Sequence, residues 1–130
     1  MSTPARILIL DDEERIRQLL VDFLEDFDEF VLRACASAEE ALEELAREPA
    51  DLCIVDMRLP GMDGKDFILN ARKRGLCGRF LLHTGSVDFS LGRELLVGGM
   101  EEDDVFFKPC DMAQMLERIR YRLAQPGAQT

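Results

Sequence analysis

Leu52-Cys53-Ile54-Val55-Asp56 is an apolar run closed by a carboxylate, and Leu59-Pro60-Gly61-Met62-Asp63-Gly64 follows almost at once. A short continuous apolar run before a dense turn signal reads as a strand buried on both faces. The same arrangement recurs along the chain. Ile7-Leu8-Ile9-Leu10 ends in Asp11-Asp12, Phe80-Leu81-Leu82-His83 ends in Thr84, and Val105-Phe106-Phe107 ends in Lys108-Pro109. In an open parallel sheet, ligands bind outside the carboxyl ends of the strands. Asp11, Asp12, Asp56, Thr84 and Lys108 are therefore expected around one small pocket. Carboxylates, a hydroxyl and an ammonium in that combination suit a divalent cation and a phosphoryl group.

Helical periodicities fill the gaps between these runs, which argues for βα units. After Asp12, the residues Ile16, Leu19, Leu20, Phe23 and Leu24 recur at helical spacing and are expected on one buried face. Val31-Leu32-Arg33-Ala34-Cys35 reads as a more polar strand at a sheet edge. Ser37 with Glu40 has the spacing of a capping box, ahead of Ala41, Leu42 and Leu45, and Pro49 ends that helix. A third helix with Phe67, Ile68 and Ala71 ends near Gly75. Between Ser86 and Asp104 the pattern is least legible: Leu91, Leu95 and Leu96 suggest a helical face, weakened by Gly92 and terminated by Gly98-Gly99. Glu101-Glu102-Asp103-Asp104 reads as a solvated acidic loop. Asp111 and Gln114 resemble a capping pair for a last helix carrying Met112, Met115, Leu116, Ile119 and Leu123.

Five strands then alternate with five helices, an α/β chain whose right-handed crossovers place helices on both faces of the sheet. Several strand orders remain open on topology alone. The acids after the first and third strands would be neighbours if those strands were adjacent, which is the flavodoxin-like doubly wound order 2-1-3-4-5 with its site at the switch point.

The bulk properties narrow the function classes. The 130 residues suggest one domain, and 47 % hydrophobic with 32 % charged residues is the balance of a globular protein. A net charge of −10 argues against direct nucleic-acid binding, which needs a basic face. Cys35, Cys53, Cys77 and Cys110 show no metal-ligand spacing with the single His83, so buried free thiols are expected. His83 itself is expected to pack near the site without titrating in function. The start of the chain is too short in apolar residues for a signal peptide, and no run approaches the ~20 of a membrane span; a cytoplasmic location without membrane contact is expected.

Taken as a set and in this order, Asp11-Asp12, Asp56, the loop Leu59 to Gly64, Thr84 and Lys108-Pro109 resemble the receiver domains of two-component response regulators. The resemblance runs from Arg6 to about Leu123. It implies a receiver domain over residues 1–125, with 126–130 a short tail or a truncated linker. It further implies that Asp56 accepts a phosphoryl group from a histidine kinase or phosphotransfer protein, and that the chain signals by conformational change. Such a domain is not an enzyme beyond its self-catalysed phosphotransfer and autodephosphorylation. By the same resemblance Asp12 and Asp56 are direct Mg²⁺ ligands, Asp11 acts through water, and the Arg58 backbone carbonyl completes the set, with Mn²⁺ as a substitute. Lys108 clamps the phosphoryl oxygens, Thr84 hydrogen-bonds one of them, and the Lys108-Pro109 bond is cis. The output domain or effector is left open, and a phosphorylation-linked dimer fits the family.

The chemistry supports these residue types. Two like charges ~4 Å apart repel by about 4 kcal/mol at an effective dielectric of about 20, so clustered carboxylates call for a cation. Oxygen ligands beside a phosphoryl group select Mg²⁺. A carboxylate is a competent nucleophile for phosphoryl transfer. Two rival readings fit these residues less well. A Mg²⁺-dependent phosphatase with an Asp nucleophile wants a second acid two residues on, where Arg58 stands. An unphosphorylated interaction module of receiver-like fold is expected to have lost an acid or the lysine, and neither is lost.

Three positions depart from the common receiver pattern. Val105 stands where many receivers carry Tyr or Phe, the stretch from Thr84 to Lys108 is slightly long, and Gly85 replaces a usual Ala. The first two put the route of signalling, not the phosphorylation chemistry, in question.

Overall fold

A computed structural model describes residues 3–125. The strands β1 (Ala5–Leu10), β2 (Phe30–Cys35), β3 (Leu52–Val55), β4 (Phe80–Thr84) and β5 (Val105–Phe107) alternate with the helices α1 (Glu14–Glu25), α2 (Ala38–Arg47), α3 (Gly64–Lys73), α4 (Arg93–Val97) and α5 (Met112–Leu123). All strand pairings are parallel and the order is β2-β1-β3-β4-β5, the flavodoxin-like arrangement expected from the sequence. The expected tail over 126–130 lies outside the described residues.

Side-chain alternation along the strands builds two cores, one on each side of the sheet. Ile7 and Ile9 of β1, Leu52 and Ile54 of β3, and Leu81 of β4 pack with Leu20 and Leu24 of α1 and Met115 and Ile119 of α5. Leu8 and Leu10, Cys53 and Val55, and Phe80 and Leu82 point the other way, toward Leu45 of α2, Phe67 and Ile68 of α3 and Leu95 of α4. Full burial of one such side chain contributes about 1.5–3 kcal/mol. Phe67 meets Phe80 edge-on, with ring centroids 6.5 Å apart.

The helix ends follow local chemistry. Ser37 Oγ accepts from the Glu40 N–H, while the Glu40 carboxylate reaches the Ala36 N–H. Asp63 accepts from the Asp66 N–H at the start of α3, and Asp111 from the Ala113 and Gln114 N–H groups at the start of α5. β2 lies at the sheet edge, in keeping with its polar sequence. Cys35, Cys53 and Cys77 are buried free thiols and Cys110 is half-buried.

Three details differ from the sequence reading. Leu19 is 52 % exposed, so the buried stripe of α1 is narrower than its periodicity suggests. α4 is a short helix of five residues, with Leu95 buried and Leu96 exposed. The acidic run is not simply solvated: Asp104 is fully buried, where Arg118 and Arg122 neutralise it. Among the described residues no helix is long and apolar enough to cross a membrane.

Candidate functional site

Parallel register brings the chemistry-bearing side chains together. Leu10 pairs with Val55, so Asp11 and Asp56 leave adjacent strands at the same level, and the Asp56 N–H donates to the Leu10 carbonyl at 2.8 Å. Thr84 pairs with Phe107, and the Lys108 N–H donates to the Thr84 carbonyl at 2.8 Å. The Lys108–Pro109 peptide is cis.

Asp11, Asp12 and Asp56 offer carboxylate oxygens that all lie within 4.8 Å of one another. Asp11 and Asp56 are buried, and Asp12 is exposed at the mouth. Lys108 Nζ lies 2.8 Å from Asp11 Oδ2 and 3.4 Å from Asp56 Oδ2. Thr84 is fully buried, and its Oγ1 accepts from the Ser86 N–H at 3.1 Å. The Arg58 N–H donates to Asp56 Oδ1 at 3.0 Å, while the Arg58 side chain is exposed. Asp11, Asp12, Asp56, Arg58, Thr84 and Lys108, the residues the sequence suggests for the pocket, therefore all stand at this end of the sheet.

Supporting contacts come from residues that sequence patterning did not single out. Glu13 reaches Lys108 Nζ at 3.5 Å, and its N–H donates to Asp11 Oδ1 at 2.9 Å. Arg17 Nη1 holds the Asp11 carbonyl at 2.8 Å. Glu13 directly follows the acid pair and Arg17 lies in the first turn of α1, and that proximity is the only signal the sequence offers.

The electrostatics fit a charged ligand site. Burial pushes the Asp56 carboxyl above the usual range, as does the neighbouring Asp11, against the Arg58 N–H and the Lys108 charge. Burial disfavours the Lys108 ammonium, but its bond to Asp11 and the charges of Asp11 and Asp56 outweigh that and raise its pKa. His83 is buried beside the site, and burial followed by the Lys108 charge lowers its pKa to about 4, so it is neutral near pH 7. Three carboxylates provide hard oxygen donors of the kind Mg²⁺ takes, so the donor set fits that ion.

Comparison with known proteins agrees with this geometry. The family model described as "Response regulator receiver domain" matches residues 7–120. The response regulator protein PilR of Pseudomonas aeruginosa is 35 % identical over 128 residues, covering 95 % of this chain and 28 % of PilR. The transcriptional regulatory protein AruR of the same organism is 33 % identical, covering 98 % of this chain and 55 % of AruR. The chain thus spans only part of the length of these curated relatives. Among solved structures, a CheY-like receiver domain protein from Methanospirillum hungatei superposes with a TM-score of 0.79 at 29 % identity, covering 94 % of this chain and 95 % of that one. With the acidic triad and its lysine arranged as a phosphoacceptor pocket, the chain belongs to the response regulator receiver domain family, whose members are signalling phosphoacceptors of two-component systems rather than enzymes.

Proposed function

We propose that Asp56 is the phosphoacceptor and that a histidine kinase or phosphotransfer protein is the donor. The observation that carries this reading is the position of Lys108 Nζ, which bridges Asp11 and Asp56 at the mouth of a three-carboxylate cluster. An Asp56 carboxylate oxygen attacks the phosphorus of the donor's phosphohistidine. The new P–O bond forms as the P–N bond breaks, and the electron pair leaves with the imidazole, which takes up a proton. Lys108 turns from the carboxylates to the incoming phosphoryl oxygens, where its positive charge is placed before charge develops. Thr84 exchanges its bond from the Ser86 N–H for a role as donor to a phosphoryl oxygen.

Asp11, Asp12, Asp56 and the Arg58 carbonyl would hold Mg²⁺, with Mn²⁺ as a substitute. When bound, the ion offsets the negative charge that the acceptor and the phosphoryl group bring together. The receiver unit is taken as residues 1–125, with 126–130 as tail or linker, and a cytoplasmic location accords with a kinase donor. Output is assigned to a separate domain or effector, reached through a conformational change and a phosphorylation-linked dimer.

Acetyl phosphate with Mg²⁺ should add one phosphoryl group by intact mass, and Asp56→Asn should add none. Labelling that persists in Asp56→Asn overturns the assignment. Hydrolysis of ordinary phosphate monoesters, which a receiver does not use as donors, would favour the phosphatase-like reading, and no addition would favour an unphosphorylated interaction module.

A further inference from the structure

At the opposite end of the sheet from Asp56 lies another pocket, this one cationic and of about 200 Å³, lined by Arg72, Arg79, Arg122, Gly98, Gly99 and Asp104 among others. It gathers the C-terminal turn of α3, the start of β4, the link from α4 to β5, and the last turn of α5.

The charges here do not balance. Asp104 is the one carboxylate in the lining, and its acceptor capacity is already used. It receives Arg118 Nε and Arg122 Nε on Oδ1, and Arg122 Nη2 and the Glu101 N–H on Oδ2, at 2.7 to 3.0 Å. Arg79 spends three N–H groups on the backbone carbonyls of Gln125 and Asp51, which are neutral, and its two other N–H donors and its charge stay unmatched. Among the described residues the Arg72 side chain has no hydrogen-bond or carboxylate partner, and its Nε is buried without an acceptor. A cation–π contact with Phe80, Cζ lying 5.3 Å from the ring centroid, supplies no hydrogen-bond acceptor and leaves the N–H donors unmatched. A buried charge-bearing donor without an acceptor is costly, and burial correspondingly depresses the Arg72 pKa.

The local backbone is shaped to this guanidinium. A Cβ built at Gly98 would overlap Arg72 Nη1, so a side chain there would push the guanidinium out of its present place against the α4 terminus. Gly99 has φ of +103°, a left-handed backbone that glycine adopts freely.

We propose that this pocket binds a small oxyanion, a phosphate or carboxylate group, between Arg72 and Arg79. Guanidinium groups match the geometry of either anion through paired N–H donors. The volume is below the about 300–1,000 Å³ of ordinary small-molecule sites, which suits an anion with little attached to it rather than a nucleotide. Bound there, the anion ties α3 to the Gly98-Gly99 end of α4, at the far end of the fold from the phosphoacceptor. The proposal rests on this pocket alone and not on the phosphorylation reading.

The test is a titration of the ¹⁵N-labelled chain, free of divalent cations, followed by NMR. Inorganic phosphate and acetate are added separately, with chloride holding ionic strength constant. Saturable shifts of the Gly98 and Gly99 amides and the Arg72 side chain are expected with phosphate, acetate or both, and the two arms identify the preferred anion. Arg72→Gln should weaken the affinity at least tenfold, and Arg72→Lys, which keeps the charge, should weaken it less. Both variants should keep the dispersed amide spectrum of the parent chain, which reports that they are folded. Shifts that fail to saturate, that chloride alone reproduces, or that persist in Arg72→Gln overturn the proposal.

Discussion

A carboxylate with no exposed surface is stable only when its charge is matched, and Asp104 meets that condition through Arg118 and Arg122. Burial alone would raise its pKa, but the hydrogen bonds from Arg122, the Glu101 N–H and Arg118 prevail and hold it below the usual aspartate range. A folded-state pKa below the unfolded value contributes stability that is complete above the unfolded pKa of 3.8 and is lost as pH falls through the folded value. Asp104→Asn should therefore destabilise the protein by about 3 kcal/mol at pH 7, the low end for a broken buried pair, because Glu101 still faces both arginines. Urea unfolding at pH 7 and at pH 3 checks this, and the gap between the variant and the parent should shrink at the lower pH. The sequence concealed this residue for a physical reason. Four consecutive acids look solvated, and the arginines that bury the last of them lie 14 and 18 residues away on another element. Asp11, Asp56, Thr84 and Lys108 were legible because each directly ends an apolar run, so their neighbours in space follow from sheet topology.

At the scale of elements, the start of α3 fixes the loop that leaves Asp56. A Cβ at Gly64 would stand 2.7 Å from the Asp56 carbonyl oxygen and 2.8 Å from Met57 Cα, both backbone atoms that cannot swing aside. Gly64→Ala should cost about 1–3 kcal/mol as an overpacked contact, and it should slow labelling of Asp56 by acetyl phosphate because the same shift moves the acceptor. Thermal unfolding and the labelling rate measure the two effects. Farther along, Val105 stands half-buried where a switching aromatic is common in the family, and its stiff χ1 gives no ring to relocate. The five-residue α4 and the glycines behind it provide another route for movement. Beryllofluoride, a phosphoryl mimic, should change amide hydrogen exchange between Ser86 and Phe107. Changes confined to the loop after Asp56 would rule out signalling through α4. The short α4 was poorly legible because its apolar positions are few and Gly92 and Gly98-Gly99 crowd both ends. The longer helices announced themselves through periodicity and caps.

For the whole molecule, a net charge of −10 with a carboxylate cluster at one end makes folding sensitive to cations. Mg²⁺ at about 100 times its dissociation constant should stabilise the native state by about 2.7 kcal/mol if it binds only the folded chain. The melting temperature should rise accordingly with Mg²⁺. Asp12→Ala should abolish that rise, while the apo protein keeps or gains stability because a repelling charge is gone. Calorimetry of both proteins with and without the ion reads the difference, and an unchanged Mg²⁺ response in Asp12→Ala would place the ion elsewhere.

The alternation of β1, β3 and β4 between two separate cores also governs where this chain tolerates changes in length during evolution. Inserting one residue within β1 would send Ile7 and Ile9 to the side built for Leu8 and Leu10, exchanging every neighbour at once. Substitutions of similar volume are absorbed there far more readily than any insertion or deletion. By contrast, Val87 and Asp88 are exposed between the buried positions Thr84 and Leu91. Added residues at that point lengthen a surface turn at small entropic cost. Length variation among descendants of this sequence should accordingly gather at 87–88, while the strands drift only in composition.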